Sequence, residues 1–119
     1  MNANQIARLG PGKRWSDIVV FNRTMYVVEV PTNLDGDITV QTRDVLASLE
    51  DSLAQGKSGK DRLLLVTIFL ADLADIDGFN AVWDAWLPPG AAPVRACVGA
   101  KLANPRYRVE LQVTAALAD

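Results

Sequence analysis

Arg95 and Glu110 are the two charges that their surroundings do not ask for. Arg95 sits within VRACV and Glu110 within VELQV, short runs otherwise suited to half-buried strands. A buried charge is costly unless it is paired. In one reading the two side chains form a mutual ion pair that holds two strands in register. In the other, Arg95 faces a pocket, where its planar fork makes two charge-assisted bonds to a substrate carboxylate. Residue types and spacing leave both open. Cys97 stands two positions after Arg95 and offers a thiol on the same strand face. The chain has no histidine to activate it, so an inert, buried thiol is the expectation over a nucleophile.

The rest of the inventory narrows the chemistry. The chain has 119 residues, no histidine and one cysteine. Without histidine there is no His-bearing metal site, Ser-His-Asp triad or Cys-His pair. Proton transfer near neutral pH then falls to a carboxylate, lysine, tyrosine, thiol, backbone group or bound water. A single cysteine permits no internal disulfide and no CxxC pair, which suits a reducing cytosol, and a cytoplasmic location is expected. Twelve basic against fourteen acidic residues give a net charge of −2. That balance lacks the basic face a nucleic-acid binder needs. The stretch MNANQIARLGPGKR has no apolar core of signal-peptide length. No run reaches the roughly 18 apolar residues of a membrane span, so neither nucleic acid nor membrane is an expected partner.

Other suggestive groupings have plainer explanations. Gly56-Lys57-Ser58 lacks the earlier glycine and preceding strand of a phosphate loop and reads as a helix-end loop. Gly10-Pro11-Gly12 neither follows a strand nor opens a helix. Asp35-Gly36-Asp37 lacks the further ligands of a calcium loop and reads as a turn, with Gly36 supplying a positive φ. Asp72, Asp75 and Asp77 fit helix-start carboxylates better than a metal cluster. Trp83 and Trp86, three apart on a helix without basic neighbours, fit core packing better than base stacking.

The elements that must position these residues follow from periodicity. Residues 1–14 read as an irregular arm. SDIVVF (16–21) and MYVVEV (25–30), separated by Asn22-Arg23-Thr24, read as a hairpin. Val45, Leu46, Leu49 and Leu53 recur at helical spacing after a cap at Asp37 or Thr39, and Gly56 stops the helix. The apolar run RLLLVTIFL (62–70) predicts a buried central strand. A second helix starts near Asp75, with Ile76, Phe79, Val82, Trp83 and Trp86 as its stripe, and ends at Pro88-Pro89-Gly90. Strands follow at 94–100 and 107–115. The order β-β-α-β-α-β-β predicts an α+β fold, a single-domain mixed sheet carrying two helices.

Several of these segments together resemble the reactive intermediate deaminase (Rid) family, also known as YjgF-type or RidA/RutC-like proteins. They are Asn80-Ala-Val-Trp-Asp-Ala-Trp86, Pro88-Pro89-Gly90, Pro93-Val-Arg95-Ala-Cys97-Val98 and Tyr107-Arg-Val-Glu110. Gln41-Thr-Arg-Asp-Val-Leu46, the Thr-Ile-Phe-Leu strand and the closing VELQV strand fit as well, and the likeness spans roughly residues 12–116. It implies a chorismate-mutase-like protomer with both helices on one sheet face, and a barrel-like homotrimer with clefts at the subunit interfaces. The implied activity is hydrolysis of short-lived enamines and imines of 2-oxo acids to the oxo acid and ammonia. The resemblance assigns the substrate carboxylate to Arg95, the orientation and activation of water to Glu110, and pocket lining, largely through the backbone, to Cys97.

Imine hydrolysis fits the residue inventory. A protonated C=N is already electrophilic, so the reaction needs an anion grip, a placed water and a proton relay, and no cofactor. Three positions depart from the family pattern. Val28-Glu29 replaces a Ser-Gly or Ala-Gly step, and Glu29 would repel an anionic substrate if it faced the cleft, although alternation allows it to point outward. Trp15 stands where a tyrosine or other large residue is common and could cap the cleft. Asp17 stands where glutamine is common. Trp15, Val28 and Glu29 thus join Arg95 and Cys97 as candidate substrate-binding residues. The rival readings are a non-catalytic trimer that binds a small carboxylate or a partner protein, and a structural module in which Arg95 and Glu110 pair with each other.

Overall fold

The computed structural model describes residues 4–118. Its strands are β1 (Ala7–Pro11), β2 (Ser16–Phe21), β3 (Thr24–Glu29), β4 (Leu63–Leu70), β5 (Val94–Gly99) and β6 (Val109–Ala116). Helix α1 spans Ile38–Gln55, and α2 spans Ile76–Trp86 after a short 3₁₀ turn at Leu73–Asp75. The six strands form one sheet in the order β1-β2-β3-β6-β4-β5. All neighbours are antiparallel except β4 and β5, which the α2 crossover makes parallel. Among the described residues no helix is long and apolar enough to cross a membrane.

Local chemistry sets the turns and caps. Asn22 and Arg23 both lie in the left-handed region, at φ 53° and 60°, between paired Phe21 and Thr24. Two such residues in a two-residue loop match the right-handed twist of the flanking strands. The Asp37 carboxylate accepts from Val40 N at 3.0 Å and caps α1. Gly36 does not have the positive φ expected of it; the positive-φ glycines among the described residues are Gly10 and Gly90. Its requirement is space instead, because a Cβ there would collide with the Val40 side chain in the first turn of α1.

Alternation along the strands separates two faces. Ile18, Val20, Met25, Val27, Val66 and Ile68 are buried on one face, beneath Val45, Leu46, Leu49 and Leu53 of α1 and Phe79 and Trp83 of α2. Each fully buried leucine contributes about 1.5–3 kcal/mol relative to exposure. The other face carries no helix and leaves Phe21, Tyr26, Val28, Leu65, Val94 and Val98 exposed.

The expected irregular arm is overturned at residues 7–11, which form β1 against β2, from Ala7↔Val20 to Pro11↔Ser16. Ala7 and Leu9 alternate inward onto the core. Gly10-Pro11-Gly12 masks that short alternation. Pro11 is harmless at the end of an outer strand, where its missing N–H breaks no ladder. Residues 1–3 of the expected arm lie outside the described residues.

Candidate functional site

The sheet opens where β2 and β3 part. They are paired from Phe21↔Thr24 to Ile18↔Val27. Beyond that point Ser16 stays with Pro11 of β1, while Glu29 stays opposite Leu111 of β6. A cleft of about 800 Å³ lies at this end of the sheet, with Trp15, Asp17, Val28, Glu29, Tyr107 and Glu110 in its walls. Because the ladder has ended, side chains from both faces reach it. Glu29 alternates with buried Val27 and comes from the helix side, whereas Tyr26 and Glu110 come from the open face.

Glu29 does not simply point into solvent. Ser52 of α1, also in the wall, donates its hydroxyl to Glu29 Oε1 at 2.5 Å. Burial raises the Glu29 carboxyl above its ordinary pKa; the Ser52 bond opposes this, and the charges of Asp17 and Asp51 add to it. Trp15 is 73% exposed at the cleft.

Glu110 is the second residue of β6, opposite Phe69 of β4. The approach to it is pinned by buried Gln41 on α1. Gln41 Oε1 accepts from Arg108 N at 2.7 Å, and its Nε2 donates to Arg106 O at 2.9 Å. The Glu110 carboxylate makes no ion pair with a described residue.

Arg95 stands elsewhere. It is opposite Val66 in the β4–β5 ladder, so it projects to the helix side, whereas Glu110 shares the open face with Phe69. The mutual ion pair is therefore excluded within one protomer. The Arg95 guanidinium carbon lies 5.9 Å from the Phe79 ring centroid and 5.7 Å from that of Trp83, a shelf built by an i, i+4 pair on α2. No described carboxylate pairs with it. Cys97 follows on the same face, partly packed against the core. Burial pushes its thiol above the ordinary value, and the Arg95 charge offsets this only in part, so at neutral pH the sulfur is a thiol rather than a thiolate. Arg95 and Cys97 thus lie on the outermost strand β5, apart from the cleft that gathers Trp15, Val28, Glu29 and Glu110.

The remaining groupings have structural partners. Asp72 accepts from Ala74 N at 2.9 Å at the start of the 3₁₀ turn, and Asp75 lies 3.6 Å from Arg108. Ser58 donates to Ala116 O at 2.6 Å, which ties its loop to the end of β6. Trp83 is core. Among the described residues no three histidine, cysteine or acidic side chains converge as a metal-ligand set. Sequence reasoning missed Ser52, Tyr107 and the aromatic shelf beneath Arg95. The shelf had a signal, the Phe79/Trp83 spacing, but Ser52 had none.

Comparison with known proteins supplies a further finding. A family model described as Endoribonuclease L-PSP matches residues 5–117. The chain is 46% identical over 112 residues to the RutC family protein YoaB of Escherichia coli K12, covering 94% of this chain and 98% of that one. It superimposes on a YjgF-family protein from Neisseria meningitidis with a TM-score of 0.95, at 39% identity over 99% of each chain. A Salmonella typhimurium protein described as a candidate translation initiation inhibitor gives a TM-score of 0.89 at 45% identity, covering 96% of this chain and 99% of that one.

Proposed function

Because the chain belongs to the YjgF/RutC family, known also as the reactive intermediate deaminase family, we propose that it hydrolyses 2-imino and 2-enamino acids to 2-oxo acids and ammonia. The active unit is a homotrimer whose clefts are completed between protomers. One observation carries this reading. Among the described residues, the cleft of a single protomer is lined by Asp17, Glu29 and Glu110 and by no lysine or arginine, while Arg95, on an edge strand of the sheet, has no carboxylate partner. An anionic substrate needs a cation that this cleft does not own, and a neighbouring copy has one to offer. The exposed apolar face around Tyr26, Val28 and Val94 gives the copies a reason to associate.

In this site Arg95 grips the substrate carboxylate with two charge-assisted bonds. Glu110 orients a water and takes its proton as the oxygen attacks C2 of the protonated imine. The proton then passes to the nitrogen of the resulting carbinolamine, the C–N bond breaks as Glu110 takes the hydroxyl proton and the C=O forms, and the ammonia picks up that proton and leaves as ammonium. An enamine enters the same route after protonation at C3. The reaction is a net hydrolysis and consumes nothing but water. The substrate is thus a small carboxylate-bearing imine or enamine, and the −2 net charge gives RNA no foothold.

Decay of 2-iminopropanoate, made in situ by an amino-acid oxidase, tests the proposal. The protein should accelerate it, and Arg95→Ala should abolish the effect with the trimer intact. Losing the grip should cost about 2–5 kcal/mol of transition-state binding. No acceleration across a panel of imino acids rejects the activity. The acidic wall at Glu29 favours a second reading, a trimer that binds a small ligand without turnover. Thermal stabilisation by 2-oxo acids with no hydrolysis would support that one.

A further inference from the structure

Glu29 is costly where it stands. Its carboxyl is partly desolvated and faces the like charges of Asp17 and Asp51. A residue serving the fold alone would do better as glutamine, which keeps an acceptor for Ser52 without the charge. Ser52 satisfies only Oε1, and no described protein group donates to Oε2. Nearby walls of the same cleft hold the exposed indole of Trp15 and the phenol of Tyr107. Aromatic faces and carboxylates attract the same kind of group, a cation with hydrogen-bond donors.

We infer that Glu29, held by Ser52 where β2 and β3 part, is a specificity residue that selects substrates whose side chain ends in a guanidinium or ammonium group. This rests on the deaminase site proposed above, in which Arg95 of a neighbouring protomer takes the carboxylate next to the reacting carbon. The two ends of the substrate are then held by opposite charges. A plain aliphatic side chain leaves Glu29 unanswered, and an acidic one is repelled.

Calorimetric titration of the intact protein with the 2-oxo acids corresponding to arginine, norvaline and glutamate tests this without requiring catalysis. The arginine-derived acid should bind at least about tenfold tighter than the norvaline-derived one, the scale of one charge-assisted bond, and the glutamate-derived acid should bind weakest. Glu29→Gln, nearly isosteric and still able to accept from Ser52, should erase that order. Equal affinities in the wild type, an unchanged order in Glu29→Gln, or no binding of any of the three overturns the inference. Turnover of the three corresponding imines separates the two claims. Preference in binding without hydrolysis sinks the deaminase reading and keeps the cation subsite. Hydrolysis without preference does the reverse.

Discussion

Arg95 and Glu110 leave opposite faces of the same sheet. The β4 ladder puts Arg95 beside Val66, which is buried under the helices, and Glu110 beside Phe69 on the uncovered face. Two residues so placed cannot close on one small molecule within a protomer. In the homotrimer proposed above they would do so across an interface, with β5 of one copy at the cleft of the next.

Co-expression of two inactive variants tests that geometry. Arg95→Ala and Glu110→Gln should each be inactive alone. In mixed trimers a site is whole only where a Glu110→Gln copy supplies Arg95 and an Arg95→Ala copy supplies Glu110. Equal expression should restore about one quarter of the wild-type sites. Zero recovery, with mixed trimers shown by mass spectrometry, rules out a site shared between protomers.

Glu29 should make stability depend on pH. Burial raises its folded pKa above the unfolded value, so the folded chain binds that proton more tightly. The stability this supplies in acid is lost as pH rises through the folded value. Glu29→Gln removes the loss and should raise Tm by about 1–3 °C at neutral pH, a small gain because solvent still screens the group. Calorimetric scans should show the gain vanish once the pH falls below the ordinary glutamate range.

Gln41 is a second point of control. It is fully buried and ties Arg106 O and Arg108 N, the backbone that leads into Glu110. Gln41→Met keeps the volume and loses these bonds, together with a longer one to Leu34 O at 3.5 Å. Urea unfolding should show a loss of about 2 kcal/mol or more, from partners left without hydrogen bonds. Amide exchange should quicken at residues 106–108. Unchanged exchange there would mean that the loop holds itself.

The uncovered sheet face predicts how the copies associate. Val94 on β5 is 71% exposed and Val28 on β3 is 54% exposed. Val94→Asp should weaken the assembly by about 2 kcal/mol per interface, the worth of one buried valine. Sedimentation should then show smaller species at micromolar concentration. A wild-type protein that sediments as a monomer would remove the basis for a shared cleft.

Much of the fold was legible because short-range periodicity carries it. The α1 stripe of Val45, Leu46, Leu49 and Leu53, the alternation of Val109, Leu111 and Val113, and the Asn22-Arg23 turn all declare themselves within a few residues. β1 did not. Its inward pair, Ala7 and Leu9, is too short a pattern to outweigh the Gly-Pro-Gly that follows.

The residue types alone determined the chemistry available: two unexplained charges, one unactivated thiol and no histidine. Where those charges point was decided by tertiary structure. Facing follows from the registers of β4 with β5 and with β6, and β6 joins the sheet from the far end of the chain. A one-residue slip in either register would move the side chain to the other face. The same holds for Glu29, whose Ser52 partner lies 23 residues away on α1 and meets it only when the helix packs on the sheet.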